Sequence, residues 1–182
     1  MNLPTREECM QMLKEHNNPE HIIRHSLLVN RVAYFLAEKI KENNNAINLE
    51  LVDRASLLHD VAKYRTLESD IRHGQAGHDI LRERGFPEIA VIVKEHALSE
   101  ILKKDSLKSL ESKIVFYADK RVRQDTLVSL EVRFDYLREK YGSKSKEIMG
   151  TINSCYAPCQ KLEEELFGLA GTDKELKGLD VQ

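Results

Sequence analysis

A chain of 182 residues with 41% apolar and 32% charged side chains has the size and composition of one globular domain with a sizeable core. Its net charge of −2 excludes the dominant basic face needed for broad nucleic-acid or membrane binding, and its short apolar runs exclude a membrane-spanning helix. The opening MNLPTREECMQML carries acidic residues and no long apolar segment, so no secretory signal is read there. Cys9, Cys155 and Cys159 form no disulfide framework, and a reducing cytoplasm is the expected setting.

In chain order, Thr5 and Glu8 have the spacing of a capping box and open a short first helix that carries Met10 and Leu13. Asn18-Pro19 reads as N-cap and first turn of a second helix. Along it Ile22, Leu28, Val29, Val32, Phe35, Leu36 and Ile40 recur at three- and four-residue steps. KENNNAIN is a loop, and Asn48 is predicted to cap a third helix with Leu51, Ala55, Leu58 and Ala62 on one face. Shorter helices are predicted over residues 73–84, 87–96 and 110–118, then longer ones near 126–141 and 145–167. Gly74, Gly85 with Pro87, and Gly142 punctuate them. There is no alternating strand pattern, repeat or interdomain linker. The predicted fold is all-α, a compact single-domain helical bundle. Residues 1–17 form an N-terminal helical extension, 18–142 the main domain, 143–170 a C-terminal helix packed on it, and the polar 171–182 a flexible tail.

The chemistry concentrates in histidines and aspartates. A lone helical histidine is ordinarily on the surface or a satisfied core residue, so context has to decide. His25 lies inside an apolar helix just before Leu27, Leu28 and Val29. His59 and Asp60 follow Leu57-Leu58 and precede Val61-Ala62, and Asp119 ends the apolar KIVFYAD. A carboxylate taken into such surroundings is costly unless it is paired or binds a metal. One metal centre accounts for all of these positions; a network of His–Asp hydrogen bonds is the less economical account. Cys155 and Cys159 lack a partner CxxC and have Pro158 between them, which weighs against a zinc site.

RHSLLV around His25, LLHDVAK around His59-Asp60 and YADKRV around Asp119 together resemble the signature of the HD-domain metal-dependent phosphohydrolases. The resemblance runs from about residue 18 to 140, and it implies an HD-type helical bundle whose interior binds a divalent metal through those four residues. His73 and His96 fall between the His-Asp pair and Asp119, where binuclear members carry two further ligands. The order is similar to that of small bacterial HD hydrolases that cleave dinucleoside tetraphosphates. By that resemblance Asp60 bridges two ions, His73 and His96 complete the second site, and Lys63 holds a substrate phosphate.

Imidazole-rich sites of mixed nitrogen and oxygen donors suit Fe, Mn, Co, Ni or Zn better than calcium, and a carboxylate can bridge because it offers two oxygens. Two ions roughly 3.5–4 Å apart lower the pKa of a shared water and stabilise charge on a phosphoryl oxygen. The expected function is therefore a metal-dependent phosphohydrolase that attacks a phosphate ester or anhydride of a nucleotide-like small molecule with metal-activated hydroxide. Asp60 and Lys63 are its catalytic residues, and Arg121 and Arg123 are further phosphate candidates. The alternatives are a metal- or nucleotide-binding regulatory module without turnover and a helical interaction protein.

His21 shares a helix face with His25 and is expected at the second rank or the pocket mouth, and His16 at the surface. His78 lies about 140° around the helix from His73, so His78-Asp79 is expected to be a partly exposed pair. Residues 63–73, with Tyr64, Arg65 and Arg72, and 97–110 are the expected pocket rims.

Overall fold

The computed structural model describes residues 1–43 and 45–179. Asn44, within the predicted loop, and the last three residues of the predicted tail lie outside the described residues. Helix α1 (Arg6–Glu15) opens on the predicted capping box, with the Glu8 amide donating to Thr5 Oγ1 and the Thr5 amide to the Glu8 carboxylate. Helix α2 (Glu20–Glu42) carries a long apolar stripe, and Val29, Val32, Ala33, Leu36, Ala37 and Ile40 are all fully buried along it. Its N-cap is Pro19 rather than Asn18. The Asn18 amide instead donates to the carbonyls of Leu13 (3.1 Å) and Val61 (2.7 Å), tying the exit of α1 to the chain just after His59.

Asn48 caps α3 (Leu49–Leu58) by accepting from the Leu51 amide at 3.0 Å. This helix ends before the His-Asp pair, so Ala62 is buried but does not sit on the α3 stripe as predicted. Residues 59–63 run as successive tight turns, with the Val61 amide on the Leu58 carbonyl and the Lys63 amide on the Asp60 carbonyl, each at 2.9 Å. A short 3-10 turn, Tyr64–Thr66, leads towards α4 (His73–Glu83), and α5 (Pro87–Glu95) follows. Gly74 lies inside the first turn of α4 instead of breaking the chain there. A Cβ on it would stand 3.3 Å from the Val93 and Lys94 carbonyl oxygens, and one on Gly77 only 2.8 Å from Val93 Cγ1. The two glycines therefore let α4 close onto α5.

Helix α6 (Leu110–Lys120), capped by Ser109, carries Asp119 in its last turn. The predicted helix start at residue 126 is corrected. Val122–Arg123 (β1) and Thr126–Leu127 (β2) form an antiparallel hairpin, with Val122 opposite Leu127 and Arg123 opposite Thr126. Two-residue strands are too short to show an alternating pattern. Helix α7 (Leu130–Lys140) begins only after the Ser129 cap, and a 3-10 turn at Gly142–Lys144 joins it to α8 (Lys146–Ala170). Helix α8 accommodates Pro158 and stops at Gly171, whose φ of 61° places it in the left-handed region.

The architecture is all-α, with α2 in the middle packed against α3, α6 and α8. Residues 171–179 fold back on this body: Leu176 is 2% exposed and the Lys174 carbonyl accepts from Arg121 at 2.9 Å. No helix among the described residues is long and apolar enough to cross a membrane.

Candidate metal centre

Five chain segments converge on Asp60. His25 comes from the first half of α2, and His59 and Asp60 from the turn that ends α3. His73 opens α4, His96 follows α5, and Asp119 lies near the end of α6. All but His73 are buried, with Asp60 and His59 at 1% exposure. The two oxygens of Asp60 face different partners. Oδ2 lies 3.3 Å from His59 Nε2 and 3.6 Å from His25 Nε2, while Oδ1 lies 3.5 Å from His73 Nε2 and 3.6 Å from His96 Nε2. Asp119 Oδ1 closes the first group, 3.1 Å from His25 Nε2 and 3.7 Å from His59 Nε2. His25, His59 and Asp60 could hold one ion, and Asp60, His73 and His96 another.

The protons follow from the acceptors. His25 Nδ1 donates to the Gln124 carbonyl at 2.6 Å, His59 Nδ1 to the Ser56 carbonyl at 2.7 Å, and His96 Nδ1 to the Val93 carbonyl at 2.5 Å. A carbonyl can only accept, so each Nδ1 carries its proton outward, and in the tautomer that ligates a metal Nε2 is the atom turned inward with a lone pair. His59 Nε2 is buried with no hydrogen-bond partner. His73 Nε2 and His96 Nε2 stand 2.9 Å apart, a separation suited to two donors on one ion. A buried cluster made almost wholly of lone pairs calls for a cation at its centre, so the residues fit a bound metal.

Electrostatics favour the ligand forms of these groups. Burial alone would push the Asp60 carboxyl up, but the charge of Lys63, with the His59 and His96 rings beside it, outweighs burial and holds the group well below the usual carboxylate range. Asp119 is likewise held down against its burial, chiefly by the charge of Lys120 and by the His25 ring packed against it. Burial, then repulsion from His96, lowers His73 to about 4, so its ring is neutral at physiological pH. Lys63 Nζ donates to Asp60 Oδ2 at 2.6 Å, and Lys120 Nζ donates to Asp119 Oδ2 at 2.5 Å and to the His96 carbonyl at 2.8 Å.

The cluster opens into a cavity of about 810 Å³. Of the expected rims, Lys63, Arg72 and His73 line it, as do Ala97, Leu98 and Ser99. Tyr64 and Arg65 do not; they border a separate hollow with Glu15 and His16. The far wall escaped the sequence reading. Arg133, Leu137, Tyr141, Lys144, Ile148 and Ile152 come from α7, the following 3-10 turn and α8. No local motif marks them, because only the packing of α7 and α8 brings them near Asp60.

Other predicted positions fall elsewhere. Arg121 is buried and committed to structure. It donates to the Val128 carbonyl (2.7 Å), the Tyr117 hydroxyl (2.6 Å) and the Lys174 carbonyl (2.9 Å), and lies 3.8 Å from Glu163. Each of its three nitrogens already has a structural partner and it does not line the cavity, so the expected phosphate role is corrected to a structural one. Arg121→Ala is expected to cost about 3–5 kcal/mol of stability, as breaking a buried ion pair does, measured by denaturant unfolding. Arg123, on β1, lies over the Tyr136 ring outside the cavity lining, again a correction. His21 is exposed and His16 half-buried. His78 is half-buried and hydrogen-bonds exposed Asp79 at 2.8 Å, away from the cluster. Cys155 and Cys159 are buried in α8, and burial raises both thiols, Cys159 to about 12.

A helical domain with two histidine groups on one shared aspartate defines a class, and sequence comparison identifies it. The HD domain family matches residues 22–123. An uncharacterized protein of Methanocaldococcus jannaschii is 35% identical over 140 residues, covering 67% of this chain and 81% of that one. The chain belongs to the HD-domain family, whose members are generally metal-dependent phosphohydrolases. The tRNA (cytidine(56)-2'-O)-methyltransferase of Picrophilus torridus is 29% identical over 183 residues, covering 94% of this chain and 49% of the enzyme. The chain thus spans about half of that relative's length. No solved structure matches the chain.

Proposed function

We propose that this chain is a metal-dependent phosphohydrolase that cleaves a phosphate ester or anhydride of a nucleotide-like substrate. The observation that carries the proposal is the division of Asp60 between two groups of inward-facing imidazoles. In this reading His25, His59, Asp60 and Asp119 hold one ion, and Asp60, His73 and His96 the other. Mixed imidazole and carboxylate donors favour Fe, Mn, Co, Ni or Zn. When bound, such a pair supplies an activated water and neutralises charge on a phosphoryl oxygen.

The protein's part is to fix the ligands and to receive the substrate. Backbone carbonyls orient three of the rings. Lys120 holds Asp119 from behind. Lys63 is the cation nearest Asp60 at the cavity edge, placed to exchange its carboxylate contact for a substrate phosphate oxygen. Likeness to half of a protein named as a tRNA-modifying enzyme supports a ribonucleotide-type substrate.

The test is a phosphate-release screen over nucleoside mono-, di- and triphosphates, cyclic nucleotides and dinucleoside polyphosphates. It is run with Fe(II), Mn(II), Co(II), Ni(II) and Mg(II), anaerobically for iron. Turnover with at least one transition metal is expected, and His78→Gln is expected to retain it. Stoichiometric metal binding without turnover on any substrate would overturn the hydrolase reading and leave a metal-binding regulatory module.

A further inference from the structure

The cavity wall facing the metal centre is chemically different from the centre itself. Its charged members apart from Lys120 are Lys63, Arg72, Arg133 and Lys144, with Glu147 as the single carboxylate beyond Asp60 and Asp119. Arg133 stands out among the cations. Its Nε is buried and has no hydrogen-bond partner, and the guanidinium lies 5.7 Å over the Tyr136 ring. Its charge is felt at Lys63 as repulsion, and the two cations line the same cavity. A buried guanidinium N–H without an acceptor is unfavourable, and the planar fork of arginine matches phosphate oxygens. Beside it Leu137, Tyr141, Ile148 and Ile152 supply an apolar surface, with Tyr141 37% and Ile148 38% exposed.

We infer that Arg133 is a specificity-determining residue that grips a second phosphoryl group, next to the one presented at Asp60 and Lys63. The substrate class is then a nucleoside bearing at least two consecutive phosphoryl groups, with its ring on Leu137, Tyr141 and Ile148. This rests on the hydrolase reading only for where the reacting phosphate sits. A monophosphate would leave Arg133 unpartnered, and so would a small non-nucleotide ester.

Calorimetry on the manganese-loaded full chain tests the inference without turnover. The probes are adenosine 5′-(α,β-methylene)diphosphate and adenosine monophosphate. The wild-type chain is expected to bind the diphosphate analogue more tightly. Arg133→Ala is expected to weaken that analogue by about ten- to a hundredfold and the monophosphate by less than about threefold, with metal stoichiometry unchanged. Arg133→Lys, which keeps the charge but not the fork, is expected to fall between and serves if the alanine variant does not fold. Equal loss for both probes, or no wild-type preference, overturns the inference. If the split appears while the phosphate-release screen is silent, the hydrolase reading alone falls. If turnover is found but Arg133→Ala leaves KM for diphosphate substrates unchanged, this inference falls and the hydrolase reading stands.

Discussion

On the hydrolase reading, Asp60→Ala is expected to abolish turnover, by at least about a thousandfold, and to strip the bound metal. The reason is positional. One side chain, 1% exposed, supplies the oxygen facing His25 and His59 and the oxygen facing His73 and His96. Removing it disassembles both groups at once, whereas losing any one histidine leaves the other group complete. A two-ion clamp contributes several kcal/mol of charge stabilisation, and each ~1.4 kcal/mol is a factor of ten in rate. Asp60→Asn is a sharper form of the experiment, because it keeps the shape but offers one acceptor oxygen and no charge. It is expected to fail nearly as badly. The measurements are metal content by mass spectrometry and phosphate release on the substrate found in the screen. Full activity in either variant would mean that the reacting centre lies elsewhere.

Chelation is the second large effect. The cluster brings four imidazoles and two carboxylates together with most of their lone pairs turned inward. Without a cation those lone pairs repel one another in a place that water barely reaches. Metal binding is thus expected to act as a folding ligand: free ion at a hundred times Kd adds about 2.7 kcal/mol per site. In a chain of this size that raises the thermal midpoint by about 5–10 °C. Differential scanning fluorimetry with chelator, then with each added metal, reads this directly, and a midpoint indifferent to every transition metal would count against the centre. Acid works in the same direction as chelation. His73 takes up its proton near pH 4 in the fold, against 6.5 for an unperturbed ring. The unfolded chain therefore binds that proton first, and stability falls as pH drops from about 6.5 to about 4.

What could be read from the sequence follows a physical pattern. Helices α2, α3 and α6 bury one continuous apolar stripe each, so their periodicity is strong. The ligands are conspicuous because an ionisable side chain interrupts an apolar stripe at His25 and Asp119 and follows one directly at His59-Asp60. The hairpin at residues 122–127 could not be read, since two-residue strands have no period and were absorbed into the helix that follows. Arg121 was misread for a related reason. An arginine after a helix end is ordinarily solvated, and nothing local announces that Tyr117, Glu163 and the Lys174 carbonyl will enclose it. Arg133 carries no local signal in the sequence. Its place in the cavity wall is set by tertiary packing, which a single sequence does not display. Leu176, buried in a segment that reads as polar, belongs to the same group.

The hairpin has one more role. Gln124, at its tip, has a φ of 58°, a left-handed conformation that costs a non-glycine residue about 1–2 kcal/mol. In that shape its carbonyl meets His25 Nδ1, 99 residues away along the chain, at 2.6 Å. Its neighbour Asp125 pairs with Arg24, the residue before His25, at 3.1 Å on the exposed face. An ion held by His25 would therefore be linked to closing of the turn, and linkage would make their coupling reciprocal. Salt that screens the exposed Arg24–Asp125 pair is then expected to weaken metal binding at His25, and bound metal to make the turn harder to open. The smallest element of the fold thus serves as a latch whose handle is on the surface and whose bolt is an imidazole proton.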